Sequence, residues 1–259
     1  NMLRRLIAVS LFAAIAASAS AQTELDSMAL GELQQQAQSA IQGQNFAQAR
    51  PYLQELVKRF EEDDGMKEQL EGLYFFIAIG YLQQYSREGE MPLLQSAIDW
   101  FNRYEEEFPQ GERMHFVLMN RADARRGLAQ WNAAAEDLER LLSQPHVGRI
   151  SDEVQLQTLE KLVEALYIAK NWEKGVPYFQ QLLRATRDAE LRAQAAAALM
   201  EAYINQDKFE QALDLLPLLS TGTEARYSLQ FNVALIQAGD RLADEERYNE
   251  ASLIYNLVL

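Results

Sequence analysis

Six times along the chain a large residue is followed by a small one three positions on, a large one four after that, and an apolar one three later. The sets are Phe46-Ala49-Leu53-Leu56, Leu94-Ala97-Phe101-Tyr104, Trp131-Ala134-Leu138-Leu141, Trp172-Gly175-Phe179-Leu182, Phe209-Ala212-Leu216-Leu219 and Tyr248-Ala251-Tyr255-Val258. At about 100° per residue these offsets fall within roughly 80° of arc, so each set is one apolar stripe on one helix. A helix with a single stripe cannot bury it alone. Neighbouring units must stack their stripes into a continuous core, which predicts a repeat architecture.

The small residues of successive stripes are 48, 37, 41, 37 and 39 positions apart, room for two helices and two turns each time. The upstream helix of each pair is expected over 27–42, 67–85, 112–129, 151–170, 188–205 and 223–244. Ser27, Ser151, Asp188 and Thr223 are candidate N-caps, each with an oxygen that can accept from an orphan helix amide. Turn signals fall between the helices at Gly43-Gln44-Asn45, Asp63-Asp64-Gly65, Pro109-Gln110-Gly111, Pro145-His146-Val147-Gly148 and Thr221-Gly222-Thr223. The second pair carries seven extra residues between Ala78 and Ala97, centred on Tyr85 to Pro92, read as an inter-helix loop that is either a tolerated insertion or a contact loop.

The segments Trp131-Asn132-Ala133-Ala134, Trp172-Glu173-Lys174-Gly175, Phe209-Glu210-Gln211-Ala212 and Tyr248-Asn249-Glu250-Ala251 resemble the opening of the second helix in tetratricopeptide repeats (TPRs). The small position of the first helix is filled by Ala37, Ala78, Ala122 and Gly239, and departs from the pattern at Val163 and Met200. The resemblance runs over residues 25–259. It implies an all-α, right-handed superhelical solenoid of stacked antiparallel helix pairs, with repeats at 25–62, 66–110, 112–146, 150–187, 188–222 and 223–259. The last is incomplete and without a polar cap, so the polypeptide is expected to continue beyond Leu259.

Residues 2–21 stand apart from this pattern. Arg4 and Arg5 precede an apolar run from Leu6 to Ala17 and the small-residue site Ala19-Ser20-Ala21, the order of a secretory signal cleaved between Ala21 and Gln22. The run is short for a bilayer span of about 20 residues. With no Cys there is neither a lipoprotein anchor nor a disulfide, and with no Asn-x-Ser/Thr sequon the expected destination is the bacterial periplasm or the medium. Cleavage removes two of 24 basic residues and no acid, leaving 22 against 38, a net charge of −16. Nucleic acid and anionic lipid are poor partners for that surface.

No catalytic constellation can be assembled. His115 and His146 lack ligands at metal spacing, and Glu61-Glu62-Asp63-Asp64 lacks the alternation of a calcium loop. There is no phosphate loop, zinc-protease helix or nucleophile elbow, so no cofactor and no enzymatic activity are expected. Trp100, Trp131 and Trp172 could be ligand platforms, but the last two open apolar stripes and read as core.

In repeats of the TPR kind the first helices line the concave surface. The position eleven before the small residue of the second helix, which points into it, is Asp123, Glu164, Glu201 and Asp240 in four successive repeats. Glu160 and Asp244 widen the stripe by one turn, and Tyr167 adds an aromatic contact. Such a row attracts a cationic peptide or helix, although any solvated helix face in so acidic a chain is also rich in carboxylates. A carboxylate-capturing mode is not expected, because the matching positions are acidic or neutral. The chain therefore reads as a non-enzymatic scaffold or adaptor for other envelope proteins, its partner a protein or peptide with a basic face. The alternative is the periplasmic repeat region of a longer exporter or outer-membrane protein. Reversal of Glu164 and Glu201 to Lys is expected to abolish capture and spare folding.

Overall fold

The computed structural model describes residues 23–143, 146–219 and 229–258. The signal peptide, its cleavage site, Pro145, the Thr221-Gly222-Thr223 turn and Leu259 lie outside the described residues. From Leu30 onward thirteen α-helices occur, and no strand is found among the described residues. The chain divides into two compact units between Leu128 and Ala129, so the predicted third repeat is shared between them.

The first unit holds α1 (Leu30–Gln42), α2 (Phe46–Phe60), α3 (Lys67–Glu88), α4 (Met91–Glu107) and α5 (Met114–Gly127). Each helix packs on the next in chain order. The stripe residues meet in the core: Ala49, Leu53, Ala97, Phe101 and Tyr104 are buried, against Ile77, Met114 and Leu118 from the first helices. Burying such a side chain contributes about 1.5–3 kcal/mol. Arg121, the centre of the densest basic spot in the sequence, is also buried, with its guanidinium 2.7 Å from Glu105 and donating to Asn102 over 2.9 Å.

The second unit holds α6 (Trp131–Leu141), α7 (Asp152–Ile168), α8 (Trp172–Ala185), α9 (Ala189–Asn205), α10 (Phe209–Leu213), α11 (Leu216–Leu219), α12 (Leu229–Asp244) and α13 (Tyr248–Tyr255). Ser151 and Asp188 cap α7 and α9 by accepting from the amides of Val154 (3.3 Å) and Leu191 (2.8 Å). Ser27 caps nothing; its hydroxyl donates to the carbonyl of Glu24, and α1 starts three residues later. Gly175 is the small residue of its stripe for a local reason. A Cβ there would stand 2.6 Å from the ring of buried Phe179.

Every turn from a first to a second helix uses the same device. Gln44, Ala129, Lys170, Asp207 and Glu246 all have φ between 54° and 64°, two residues before the second helix begins. After Gln44, Lys170, Asp207 and Glu246 the next amide reaches back to close the first helix: Asn45 to Ala40, Asn171 to Leu166, Lys208 to Tyr203 and Arg247 to Leu242, at 2.8–2.9 Å. This is the Schellman closure, made here with side-chain-bearing residues where glycine is usual.

The same device explains the seven extra residues of the second pair, which do not form a loop. The left-handed residue there is Gly89, eleven after Ala78 and eight before Ala97, where the other pairs have seven and five. The first helix therefore gains four residues and the second gains three, about one helical turn each. Only Glu90 stands between Gly89 and α4.

The fifth stripe is broken. α10 ends at Leu213 because Pro217 has no amide for the Leu213 carbonyl and its ring collides with that turn. Buried Ala212 and Leu219 still contribute to the core from two short helices.

Candidate functional site

Asp123 lies in the first unit, exposed on α5, where it accepts from Arg126 over 3.1 Å. One and two turns earlier on that helix face are Asn120 and Phe116, the latter 44% exposed. Phe116 begins a line of rings that the sequence reading did not assemble. His115 lies against it at 4.0 Å, Phe75 at 6.3 Å, Phe76 stands 5.6 Å from Phe75, and Phe46 stacks on Phe76 at 5.6 Å. The signal was available in Phe75-Phe76 and Phe116. It went unread because neither position belongs to the second-helix stripe.

The remaining predicted residues belong to the second unit. On α7, Glu164 is exposed, Glu160 and Tyr167 are half-buried, and Ile168, one turn beyond Glu164, is 42% exposed. On α12, Asp240 and Asp244 are exposed in line with Ile236 and Val233, themselves 41% and 45% exposed. Asp240 accepts from the Tyr255 hydroxyl over 2.6 Å. Asp244 lines an open cleft of about 430 Å³ with Asp207, Phe209, Glu210, Arg241 and Arg247. Two ion pairs cross it, Arg241 to Asp207 and Arg247 to Glu210.

Glu201 differs from the rest of the row. It is only 5% exposed, its carboxylate accepts from the Tyr167 hydroxyl over 2.6 Å, and its carbonyl accepts from Asn205 over 2.8 Å. Burial pushes its carboxyl above the usual glutamate value, against the opposing effects of the Tyr167 hydrogen bond and the Lys170 charge. Tyr167 is itself fixed, its ring edge-on to Trp172 at 5.7 Å. Glu201 and Tyr167 thus join α7 to α9. A lysine at 201 would bury an ammonium with no partner, so reversal at this position carries a folding cost that exposed Glu164 does not.

Polar bonds of the same kind recur along the second unit. Glu139 accepts from the Tyr178 hydroxyl and pairs with Lys174, both at 2.6 Å, and Gln180 donates to the Tyr203 hydroxyl over 2.7 Å. Trp131 and Trp172 are half-buried at the helix openings, and Trp100 packs on Tyr74 at 5.5 Å with Arg103 over its ring. Among the described residues no group of three or more His, Asp or Glu side chains could hold a metal ion, and no helix is long and apolar enough to cross a membrane.

No protein-family model and no curated protein sequence matches the chain. Solved structures do resemble its backbone. YrrB, described as a TPR protein with an unusual peptide-binding site, is 14% identical, with 78% of this chain and 89% of YrrB covered and a TM-score of 0.48. The apo form of RapI is 14% identical over 82% of this chain and 62% of its own, with a TM-score of 0.49. PilF of Pseudomonas aeruginosa is 15% identical over 90% and 91%, with a TM-score of 0.42. Among the described residues the fold is all-α, with consecutive helices packed in pairs.

Proposed function

We propose that the chain is an exported, non-enzymatic scaffold that binds a protein or peptide along the first-helix faces of its repeats. The observation that carries this reading is the pairing of exposed aliphatic side chains with carboxylates on those faces: Ile168 beside Glu164 on α7, and Ile236 beside Asp240 on α12. Singly exposed aliphatics are ordinary. Aliphatics aligned with acids on the faces of stacked helices make a surface suited to a basic, partly apolar partner. The peptide-binding site named for YrrB concerns that protein; here the support comes from this chain's own side chains.

Export rests on residues 2–21, and places the scaffold in the bacterial periplasm or the medium, among envelope proteins. Two experiments test the two halves. Expressed in a bacterium with its N-terminus intact, the chain recovered from the envelope should begin at Gln22; a chain retaining Arg4 and Arg5 in the cytoplasm contradicts export. Immobilised full chain should capture a discrete basic envelope protein at low salt and release much of it at high salt, because screening acts on exposed charge. Capture that is absent, or indifferent to salt, contradicts the acidic face as the binding surface.

A further inference from the structure

The second unit has an open cleft of about 300 Å³ on the side turned away from the acidic row. Its floor is Leu199 and Tyr203 of α9, each two residues from Glu201 and so about 160° round the helix from it. One wall is Gln180, Leu183 and Arg184 of α8; the other is Gln211, Asp214 and Leu215. Asp214 and Leu215 are the two residues between α10 and α11, so the cleft lies where the second helix of the fifth pair is interrupted. Leu199 and Leu215 are buried at its base.

Arg184 is the first of three arginines near the turn from α8 to α9. Arg187 follows it by three residues in that turn, and Arg192 lies seven residues before Leu199, on the same stripe of α9. All three are exposed, and none has an ion-pair partner among the described residues. Elsewhere this acidic chain pairs its arginines: Arg59 with Glu55, Arg103 with Glu61, Arg121 with Glu105, Arg241 with Asp207 and Arg247 with Glu210. The acids nearest in sequence are engaged, Asp188 by the Leu191 amide at 2.8 Å and Glu190 by Gln194 at 3.4 Å. Free guanidinium groups beside a leucine-lined cleft suit a group that is apolar at one end and carries carboxylates at the other. Asp214 repels a carboxylate from the opposite wall and so favours the arginine side.

We propose that this cleft docks an acidic, leucine-bearing segment of a partner protein, its aliphatic side chain between Leu183 and Leu215 and its carboxylates on Arg184, Arg187 and Arg192. The site is separate from the first-helix faces and does not rest on the scaffold reading given for them. Charge complementarity identifies the occupant. At a net charge of −14 the chain as a whole repels an acidic segment, so only a local group of free arginines can hold one. The size agrees: the cleft is at the lower end of the range of ligand pockets, about 300–1,000 Å³, and takes one aliphatic side chain with its flanking residues on the rim.

The test is an anisotropy titration of the full chain with two labelled peptides of equal charge, Glu-Glu-Ser-Leu-Ser-Glu-Glu and the same peptide with Ser in place of Leu. The first should bind at least about tenfold more tightly, the effect of burying one leucine side chain, and should weaken as salt is added. An Arg184→Gln, Arg187→Gln double variant should weaken it several-fold while keeping the wild-type thermal midpoint, because both side chains are exposed. Glu164→Gln and Asp240→Asn, on the first-helix faces, should leave its affinity unchanged. Equal affinity of the two peptides, no effect of the arginine double variant, or no saturation at millimolar concentration overturns the site. Binding lost in Glu164→Gln and Asp240→Asn but kept in the arginine variant overturns it as well, and leaves the first-helix faces as the binding surface.

Discussion

The hydroxyl of Tyr167 donates to the carboxylate of Glu201 over 2.6 Å, joining the first helices of two consecutive repeats through a side chain that the sequence pattern assigns to a binding face. Removing the donor should expose the cost of that burial. Tyr167→Phe leaves a nearly buried carboxylate short of a partner and is expected to destabilise the chain by about 1–3 kcal/mol. Glu201→Gln in the same background should restore most of it, because the neutral amide does not carry the desolvation penalty. Urea midpoints of the two variants and the double variant check this; a double variant no more stable than Tyr167→Phe contradicts it.

Glu201 also sets a sign for pH. Its folded carboxyl titrates above the unfolded one, so the folded state holds the proton longer. The associated stabilisation is complete below the ordinary glutamate range and is lost as pH rises through the folded value. Glu201→Gln should therefore flatten the fall in stability just above that range. A wild-type stability curve that rises there in step with the variant's contradicts the assignment.

Glu139 and Tyr178 give the opposite slope at low pH and the same slope at high pH. Burial alone would raise the Glu139 carboxyl, but Lys174 and the Tyr178 hydroxyl outweigh it and hold it below the usual value. Its contribution is present above that value and is lost as pH falls through the folded one. The Tyr178 phenol is pushed up to about 12 by burial and by its bond to Glu139, and the Tyr74 phenol to about 12 by burial and its bond to Glu61. Their contributions are complete below pH 10 and are lost as pH rises toward 12. Phenolate absorbance should show a late class of tyrosines ionising together with alkaline unfolding, and Tyr178→Phe should shrink it; a single unperturbed titration near pH 10 is the contrary result.

The turn geometry predicts stabilising changes. Lys170 occupies the left-handed region at φ 54°, a conformation costing an L-residue roughly 1–2 kcal/mol, while glycine loses about 0.5–1 kcal/mol in unfolded-chain entropy. Lys170→Gly should raise stability by up to about 1 kcal/mol, and Gly89→Ala should lower it by a similar amount. Thermal midpoints moving in opposite directions for the two variants are expected. Both falling would indicate that the Lys170 side chain matters more than its backbone.

Pro217→Ala should restore an amide opposite the Leu213 carbonyl and let α10 run on into α11. Slower hydrogen exchange at Leu215 and Leu216 is the expected signature, and unchanged exchange would mean that the break has another cause.

The architecture was legible because six copies of one stripe leave a stacked arrangement as the way to bury them, and helix ends fell within a few residues of Gly, Asp and Ser signals. Three features were not. The extra residues of the second pair resemble a loop in sequence, since nothing in Tyr85 to Pro92 shows that both flanking helices lengthen by a turn. Glu201 shares its register with Glu164 and Asp240, and only the proximity of Tyr167, 34 residues away, distinguishes a buried carboxylate from an exposed one. The line of rings through Phe75 and Phe116 depends on contacts between three helices, which spacing along one helix does not report.

The binding surface proposed above is the first-helix face that carries Glu164 and Asp240. Calorimetric titration of the captured envelope partner into the wild-type chain and into a Glu164→Lys, Asp240→Lys double variant tests it most directly. Both side chains are exposed, so the thermal midpoint should stay within about 2 °C, as surface changes of about 0.5 kcal/mol or less do in a chain of this size. Affinity is expected to fall at least about tenfold at low salt, and the difference to narrow at high salt. Equal affinity of the two proteins at low salt would contradict it.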